Sequence, residues 1–154
     1  MKIQSSLLGE LEFDENYIIH FPQGIPAFEN EKEFILLPMA EGVPFYYLQS
    51  VNNSELCLLL AQPFTFFPDY EIDVDDEDLK RLKLKDESQL AVYLILTVPD
   101  DFKKTTANLL APLLINIENR LGMQYVSIKT NYSTRHFIFR QENKNIAVNA
   151  AGGL

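Results

Sequence analysis

The run Leu90-Ala91-Val92-Tyr93-Leu94-Ile95-Leu96-Thr97-Val98-Pro99 is the longest near-apolar stretch of the chain. A bilayer-spanning helix needs about 20 apolar residues, so this run is too short to cross a membrane. Val92, Tyr93, Ile95, Thr97 and Val98 all favour extended backbone, and residues 90–98 are therefore predicted as a β-strand. Outward from it, strands are predicted at 33–37, 45–51 and 56–61. Pro38, Gly42 and Pro44 break the first gap, and Asn52-Asn53-Ser54 breaks the second. Leu7, Leu11 and Phe13 alternate with Glu10 and Glu12, which predicts a strand with one wet face. A turn at 14–16 would return it as a strand over 17–21.

On the C-terminal side, residues 108–117 form a further predicted strand. Pro112 lies inside it and cannot donate to a ladder, so this strand is expected at an edge or bulged. A turn at 119–122 precedes a predicted strand at 124–129, and another is predicted at 135–139. One short helix is predicted at 76–82, with acids in its first turn and bases at its end. Asp76–Lys80 and Glu77–Arg81 are its expected i,i+4 pairs. Eight or nine short strands with one short helix predict a mostly β fold, an antiparallel β-barrel-like domain. Eleven Phe and seven Tyr, with no Trp, are available to fill its core. Residues 1–142 are expected to form a single domain, and 143–154 a flexible tail.

The chain has 154 residues, the size of one ordinary domain, and 47% of them are hydrophobic. Thirteen basic against 22 acidic residues give a net charge of -9, which argues against direct nucleic-acid binding and favours basic partners. The N-terminal segment carries no apolar stretch of signal-peptide length, so a cytoplasmic protein is expected. Cys57 is the single cysteine and reads as a small buried hydrophobe.

Residues 69–78 hold seven acids: Asp69, Glu71, Asp73, Asp75, Asp76, Glu77 and Asp78. An EF-hand loop needs Gly at its sixth position and Glu at its twelfth. From Asp69 those positions are Val74 and Lys80; from Asp73 they are Asp78 and Leu84. Neither register fits, and no metal is expected. A solvated loop and a contact surface for a basic partner both remain as readings. His20 and His136 are the only histidines, and no pattern links either to an activated Ser or Cys. His20 reads as a satisfied barrel histidine. No phosphate-binding glycine motif is present, so neither catalysis nor a cofactor is expected. Phe64-Thr65-Phe66-Phe67-Pro68-Asp69-Tyr70-Glu71 places four aromatics at a proline break beside the acids. Either both faces of this segment are covered, or a ring is exposed and marks an interaction surface.

Several of these segments resemble, in order, the motifs of the flagellar assembly factor FliW family. They are Ile18-Ile19-His20-Phe21-Pro22-Gln23-Gly24-Ile25-Pro26-Ala27-Phe28-Glu29, Phe45-Tyr46-Tyr47-Leu48-Gln49-Ser50 and Phe66-Phe67-Pro68-Asp69-Tyr70-Glu71. Thr97-Val98-Pro99, Thr106-Ala107-Asn108-Leu109 and Ala111-Pro112-Leu113-Leu114-Ile115-Asn116 follow, closed by Arg120, Gly122 and Gln124. Ala27 departs from the pattern, because the family often carries Gly there. Alanine tolerates a positive φ poorly, so the backbone at this position is open.

The resemblance implies a non-enzymatic regulator that binds flagellin in the cytoplasm and antagonises the translational regulator CsrA, with allosteric action at a site away from the RNA. It implies a small barrel-like β fold and a monomer when free. Partner contacts are expected at Phe67, Asp69, Tyr70, Glu71, Asp73 and Asp75, then at Asn108, Asn116 and Arg120. The alternative is a small-molecule-binding β-barrel, which requires an internal cavity.

Overall fold

The computed structural model describes residues 1–127 and 131–141. The expected tail at 143–154 lies outside the described residues, as does part of the strand predicted at 124–129. The strands are β1 (Lys2–Ser5), β2 (Gly9–Glu12), β3 (Ile19–His20), β4 (Glu33–Pro38), β5 (Phe45–Ser50) and β6 (Cys57–Ala61). After the helices α1 (Pro63–Phe66) and α2 (Asp76–Arg81) come β7 (Leu90–Thr97), β8 (Thr106–Ala107), β9 (Leu113–Asn116), β10 (Leu121–Gln124) and β11 (His136–Phe137). Strands β3, β4, β5, β6, β7, β9 and β10 pair in a closed seven-stranded barrel, with β7 bonded to both β6 and β9. All barrel pairings are antiparallel except one. The short parallel contact of β3 with β10 closes the ring, through the His20 N–H donating to the Arg120 carbonyl at 2.8 Å.

Strand β7 shows why its sequence is almost continuously apolar. Successive side chains point to opposite faces. Ala91, Tyr93 and Ile95 face the barrel interior, whereas Val92, Leu94 and Leu96 face an outer layer. Strand β6 divides in the same way, with Leu58 and Leu60 inside and Leu59 and Ala61 outside. The interior is occupied by Phe21, Phe34, Leu48, Leu60, Leu113 and Ile115, all fully or almost fully buried, together with Ile19 and Tyr93. The space a small-molecule-binding barrel would need inside is taken by these side chains. Gly122 lies against this core. A Cβ there would stand 2.5 Å from Cζ of Phe21, so the ring uses the volume that any other residue would need.

Three outer layers cover the barrel. The β1–β2 hairpin brings Ile3 and Phe13 onto Ile18, Ile35 and Val51. Phe66, Phe67, Tyr70 and Ile72 lie on Leu94, Leu96 and Ala107. The segment after α2 places Leu82 against Leu114 and Tyr125. Helix α2 ends in a Schellman motif, with Lys83 N–H donating to the Lys80 carbonyl and Leu84 N–H to the Leu79 carbonyl. Lys83 takes the left-handed position, at φ 55°.

The structure corrects several local expectations. Residues 9–12 pair with 2–5 rather than with 17–21, because Ile3 and Leu11 face each other and share the covered side. Tyr17 lies in a 3-10 turn, Glu15–Tyr17, capped by the Asp14 side chain. The strand expected from 108 starts only at Leu113. Asn108 Oδ1 accepts the Ala111 N–H at 2.9 Å and holds a turn before Pro112. Strand β9 is not an edge, since it is paired on both sides. Among the described residues two short helices form rather than one, because Pro63 can start a helix at no hydrogen-bond cost. The ion pair on α2 is Asp78–Arg81 at 3.6 Å, in place of the i,i+4 pairs. His20 is exposed and 4.0 Å from Glu33, not a barrel-interior histidine. Cys57 is half-buried, and that burial pushes its thiol pKa up.

Candidate functional site

The segment after β6 cannot continue as a strand. Pro63 starts α1, Phe67 N–H closes it on the Pro63 carbonyl, and Tyr70 N–H bonds the Phe67 carbonyl. This coil turns the four rings in different directions. Tyr70 is buried, Phe66 and Phe67 are half-buried, and Phe64 is 59% exposed. The Tyr70 hydroxyl donates to the Leu109 carbonyl at 2.7 Å, and its ring lies 4.9 Å from that of Tyr132. The Tyr132 hydroxyl accepts the Glu71 N–H at 3.1 Å. The chain then runs as unpaired coil, Ile72 to Asp75, before α2 begins.

This coil and the segment after β10 border an open cleft of about 830 Å³. Tyr70, Ile72, Val92, Tyr125 and Tyr132 supply its apolar and aromatic surface. Glu71, Asp73 and Asp75 supply carboxylates. Phe64, Ser127 and Asn131 complete the lining, and none of its described residues is Lys or Arg. The Tyr125 hydroxyl donates to the Asp73 carbonyl at 2.7 Å and ties the acidic coil to the barrel. Burial, and then the carboxylates of Asp75, Asp78 and Asp73, push the Tyr125 pKa up, since both disfavour a phenolate. Tyr70 is also raised, chiefly by burial and then by Tyr132. Both phenols therefore stay neutral hydrogen-bond donors at ordinary pH.

Of the predicted contact residues, Tyr70, Glu71, Asp73 and Asp75 come together in this cleft. Asp69 is exposed on the same coil but outside the lining, and Phe67 packs beside the His136 ring at 6.2 Å. The other three lie elsewhere. Asn108 holds the turn before Pro112. Asn116 is fully buried; its Nδ2 donates to the Leu82 carbonyl at 2.8 Å and its Oδ1 accepts the Glu118 N–H at 3.0 Å. It fastens the end of α2 to β9. Arg120, at φ 56°, sets its guanidinium over the Tyr17 ring at 5.2 Å. Tyr125, Ser127, Asn131 and Tyr132 were not anticipated. They reach the cleft from more than 50 residues downstream of Tyr70, and no local spacing connects them. Among the described residues, no three His, Cys, Asp or Glu side chains are grouped to hold a metal ion. No helix is long and apolar enough to cross a membrane, again among the described residues.

A family model described as FliW protein matches residues 2–138, most of the chain. The chain belongs to the FliW family. The flagellar assembly factor FliW of Syntrophomonas wolfei is 58% identical over 140 residues, covering 91% of this chain and 90% of the relative. That of Geobacillus thermodenitrificans is 49% identical over 142 residues, covering 92% and 98%. A crystal structure of the flagellar assembly factor FliW superposes with a TM-score of 0.88 at 46% identity, over 93% of this chain and all of that one. This places the closed barrel on a FliW framework. In the turn Ile25–Phe28, closed by a 2.7 Å hydrogen bond, Pro26 and then Ala27 at φ 76° occupy the central positions of a type II turn. The third residue of such a turn requires a positive φ, so this chain holds an alanine where the backbone asks for glycine.

Proposed function

We propose that this FliW-family chain is a cytoplasmic, non-enzymatic regulator that binds flagellin and antagonises CsrA, coupling flagellin level to flagellin translation. Family membership over residues 2–138 carries this reading. Free factor holds CsrA away from its message by an allosteric contact, and flagellin takes the factor when it accumulates. The free protein is a monomer. The net charge of -9 steers it toward a basic RNA-binding partner. The proposed contact surface is the coil bearing Phe67, Asp69, Tyr70, Glu71, Asp73 and Asp75, which brings Glu71, Asp73 and Asp75 to one cleft. Asn108 and Arg120 are secondary contacts, and Asn116 supports the surface from within.

Calorimetric titration with CsrA and flagellin, separately and then in competition, tests the reading. Binding of both, with flagellin displacing CsrA, is expected. Binding of flagellin alone would reduce the protein to an assembly chaperone, and binding of neither would refute the proposal. Changing Asp69 and Glu71 to Asn and Gln should weaken CsrA binding and flatten its salt dependence. Unchanged affinity at low salt would remove these acids from the contact.

A further inference from the structure

Strand β10 has one edge that is mostly open. Its other edge bonds β9 through alternate residues, Leu121 and Met123, and the same ladder continues to the Tyr125 N–H, which donates to the Pro112 carbonyl at 2.9 Å. Successive residues of a strand bond to opposite sides, so Gly122, Gln124 and Val126 turn their backbone groups toward β3. On that side the pairing stops after one register position, Leu121 opposite His20. The His20 N–H donates to the Arg120 carbonyl at 2.8 Å, and the next N–H facing β10 would belong to residue 22. Residue 22 is a proline and has none. Phe21, between them, faces the other way and donates to the Lys32 carbonyl. Past this seam, the N–H groups of Gln124 and Val126 and the carbonyls of Gly122 and Gln124 have no hydrogen-bond partner among the described residues. A pocket of about 240 Å³ lies where the two chains diverge, with Pro22 and Gln23 on one side and Leu121 and Met123 on the other. Leu82 adds apolar surface, and Arg81 is the one charged side chain among the described lining residues.

We infer that the open edge of β10 and this pocket form a docking site for an extended peptide segment with an aliphatic residue and, two positions along, an acidic one. The segment adds a strand at the seam. Its carbonyls accept from the Gln124 and Val126 N–H groups, and its own N–H groups donate to the Gly122 and Gln124 carbonyls. Residues two apart on a strand share a face, so the aliphatic side chain enters the pocket while the carboxylate meets Arg81. Arg81 pairs with Asp78 at 3.6 Å, but a guanidinium has five N–H donors and that contact does not exhaust them. The pocket is below the range of about 300–1,000 Å³ usual for small-molecule sites and has room for a side chain. A second copy of this chain is a poorer occupant, because two molecules of net charge -9 repel each other. The inference uses no residue of the acidic coil and holds whichever protein supplies the segment.

The test titrates the full chain with two blocked hexapeptides, Ser-Leu-Thr-Glu-Thr-Val and its reverse, which between them present both strand directions. Amide chemical shifts and hydrogen exchange of the protein are the readout. Saturable binding of one peptide is expected, with exchange at Gln124 and Val126 slowed roughly tenfold. Methylating the peptide nitrogens that face β10 should abolish binding, whereas methylating the alternate ones should leave affinity within about twofold. These peptide variants leave the protein's fold untouched. Arg81→Gln should weaken binding about threefold and remove the preference for Glu over Gln in the peptide. Lys2→Gln removes an exposed cation on β1 and should change neither. Failure of both peptides to bind at about 1 mM would overturn the inference. So would binding that leaves the Gln124 and Val126 amides exchanging as before, or that ignores which peptide nitrogens are methylated. Protection of these amides that rises with protein concentration alone would overturn it too, and would assign the edge to a second copy.

Discussion

Replacing Gly122 with alanine should destabilise the barrel. The new Cβ would lie 2.5, 2.7 and 2.9 Å from three carbons of the Phe21 ring. Unstrained carbon contacts sit at about 3.5–4.0 Å, so the ring must retreat by roughly 1 Å. It has nowhere to go: Phe21 is fully buried and packs edge-on against Phe34 at 5.3 Å between ring centres. Overpacking of this kind costs about 1–3 kcal/mol, and the depth of the overlap places this case in the upper half of that range. For a chain of this size, 2–3 kcal/mol lowers Tm by roughly 4–12 °C. Urea unfolding and calorimetry of Gly122→Ala, Phe21→Leu and the double variant check the mechanism. Phe21→Leu alone should cost about 1–2 kcal/mol through a cavity. In the double variant the smaller side chain makes room for the methyl, so the combined loss should fall short of the sum by about 1 kcal/mol or more. Strict additivity, or a Gly122→Ala protein within ~0.5 kcal/mol of the parent, would show that the ring does not claim the glycine's space.

Ala27→Gly should stabilise the protein by about 0.5–1 kcal/mol, relieving the left-handed alanine at some entropic cost in the unfolded chain; a lower urea midpoint would contradict the type II turn. Asn116→Ala should destabilise by about 2–4 kcal/mol, because the Leu82 carbonyl and the Glu118 N–H lose their buried partner together. Denaturant unfolding gives the value, and a loss below ~1 kcal/mol would deny Asn116 its fastening role. Tyr70, Tyr93 and Tyr125 are all raised, first by burial. A raised tyrosine contributes stability that is fully present below its unfolded pKa, about 10, and is lost as pH climbs toward the folded value. Alkaline titration followed by tyrosinate absorbance should show a fraction of the seven tyrosines ionising only as the protein unfolds, with stability falling above about pH 10. Ionisation of all seven in one early step would refute it.

The barrel strands were legible where one rule governs them. Residues 33–38, 45–50, 57–61 and 90–97 are apolar enough on alternating faces, and punctuated clearly enough, to be read directly from the chain. The run at 90–97 reads as continuous because both of its faces are covered, one by the interior and one by the outer layer. The β1–β2 pairing was hidden because 2–5 and 17–21 are equally plausible partners for the strand at 9–12, and only the tertiary position of Ile3 decides between them. Pro112 misled because proline marks either a bulge or a strand start, and the choice depends on Asn108 capping the turn before it. Half the cleft was visible in the acidic coil. The other half comes from Tyr125, Ser127 and Tyr132, whose arrival depends on β10 closing the ring. Asn116 was expected as a partner contact, yet it is one of the most buried polar residues, with its Nδ2 bonded to a carbonyl more than 30 residues earlier.

The single parallel junction of the barrel has a consequence for the chain as it is made. Strands β4 to β6 each find an antiparallel neighbour next to them in sequence and can pair as they leave the ribosome. Strand β3 cannot complete its pairing so early, because Leu121 stands opposite His20, about a hundred residues later. Until β10 emerges, one side of β3 is an open edge, and the nascent sheet is exposed to pairing with the wrong chain. The cleft is equally late, since Tyr125 and Tyr132 line it and follow β10. A partly synthesised chain therefore carries the acidic coil and Tyr70 before Tyr125 and Tyr132 arrive, and the cleft is assembled only once translation has passed the seam.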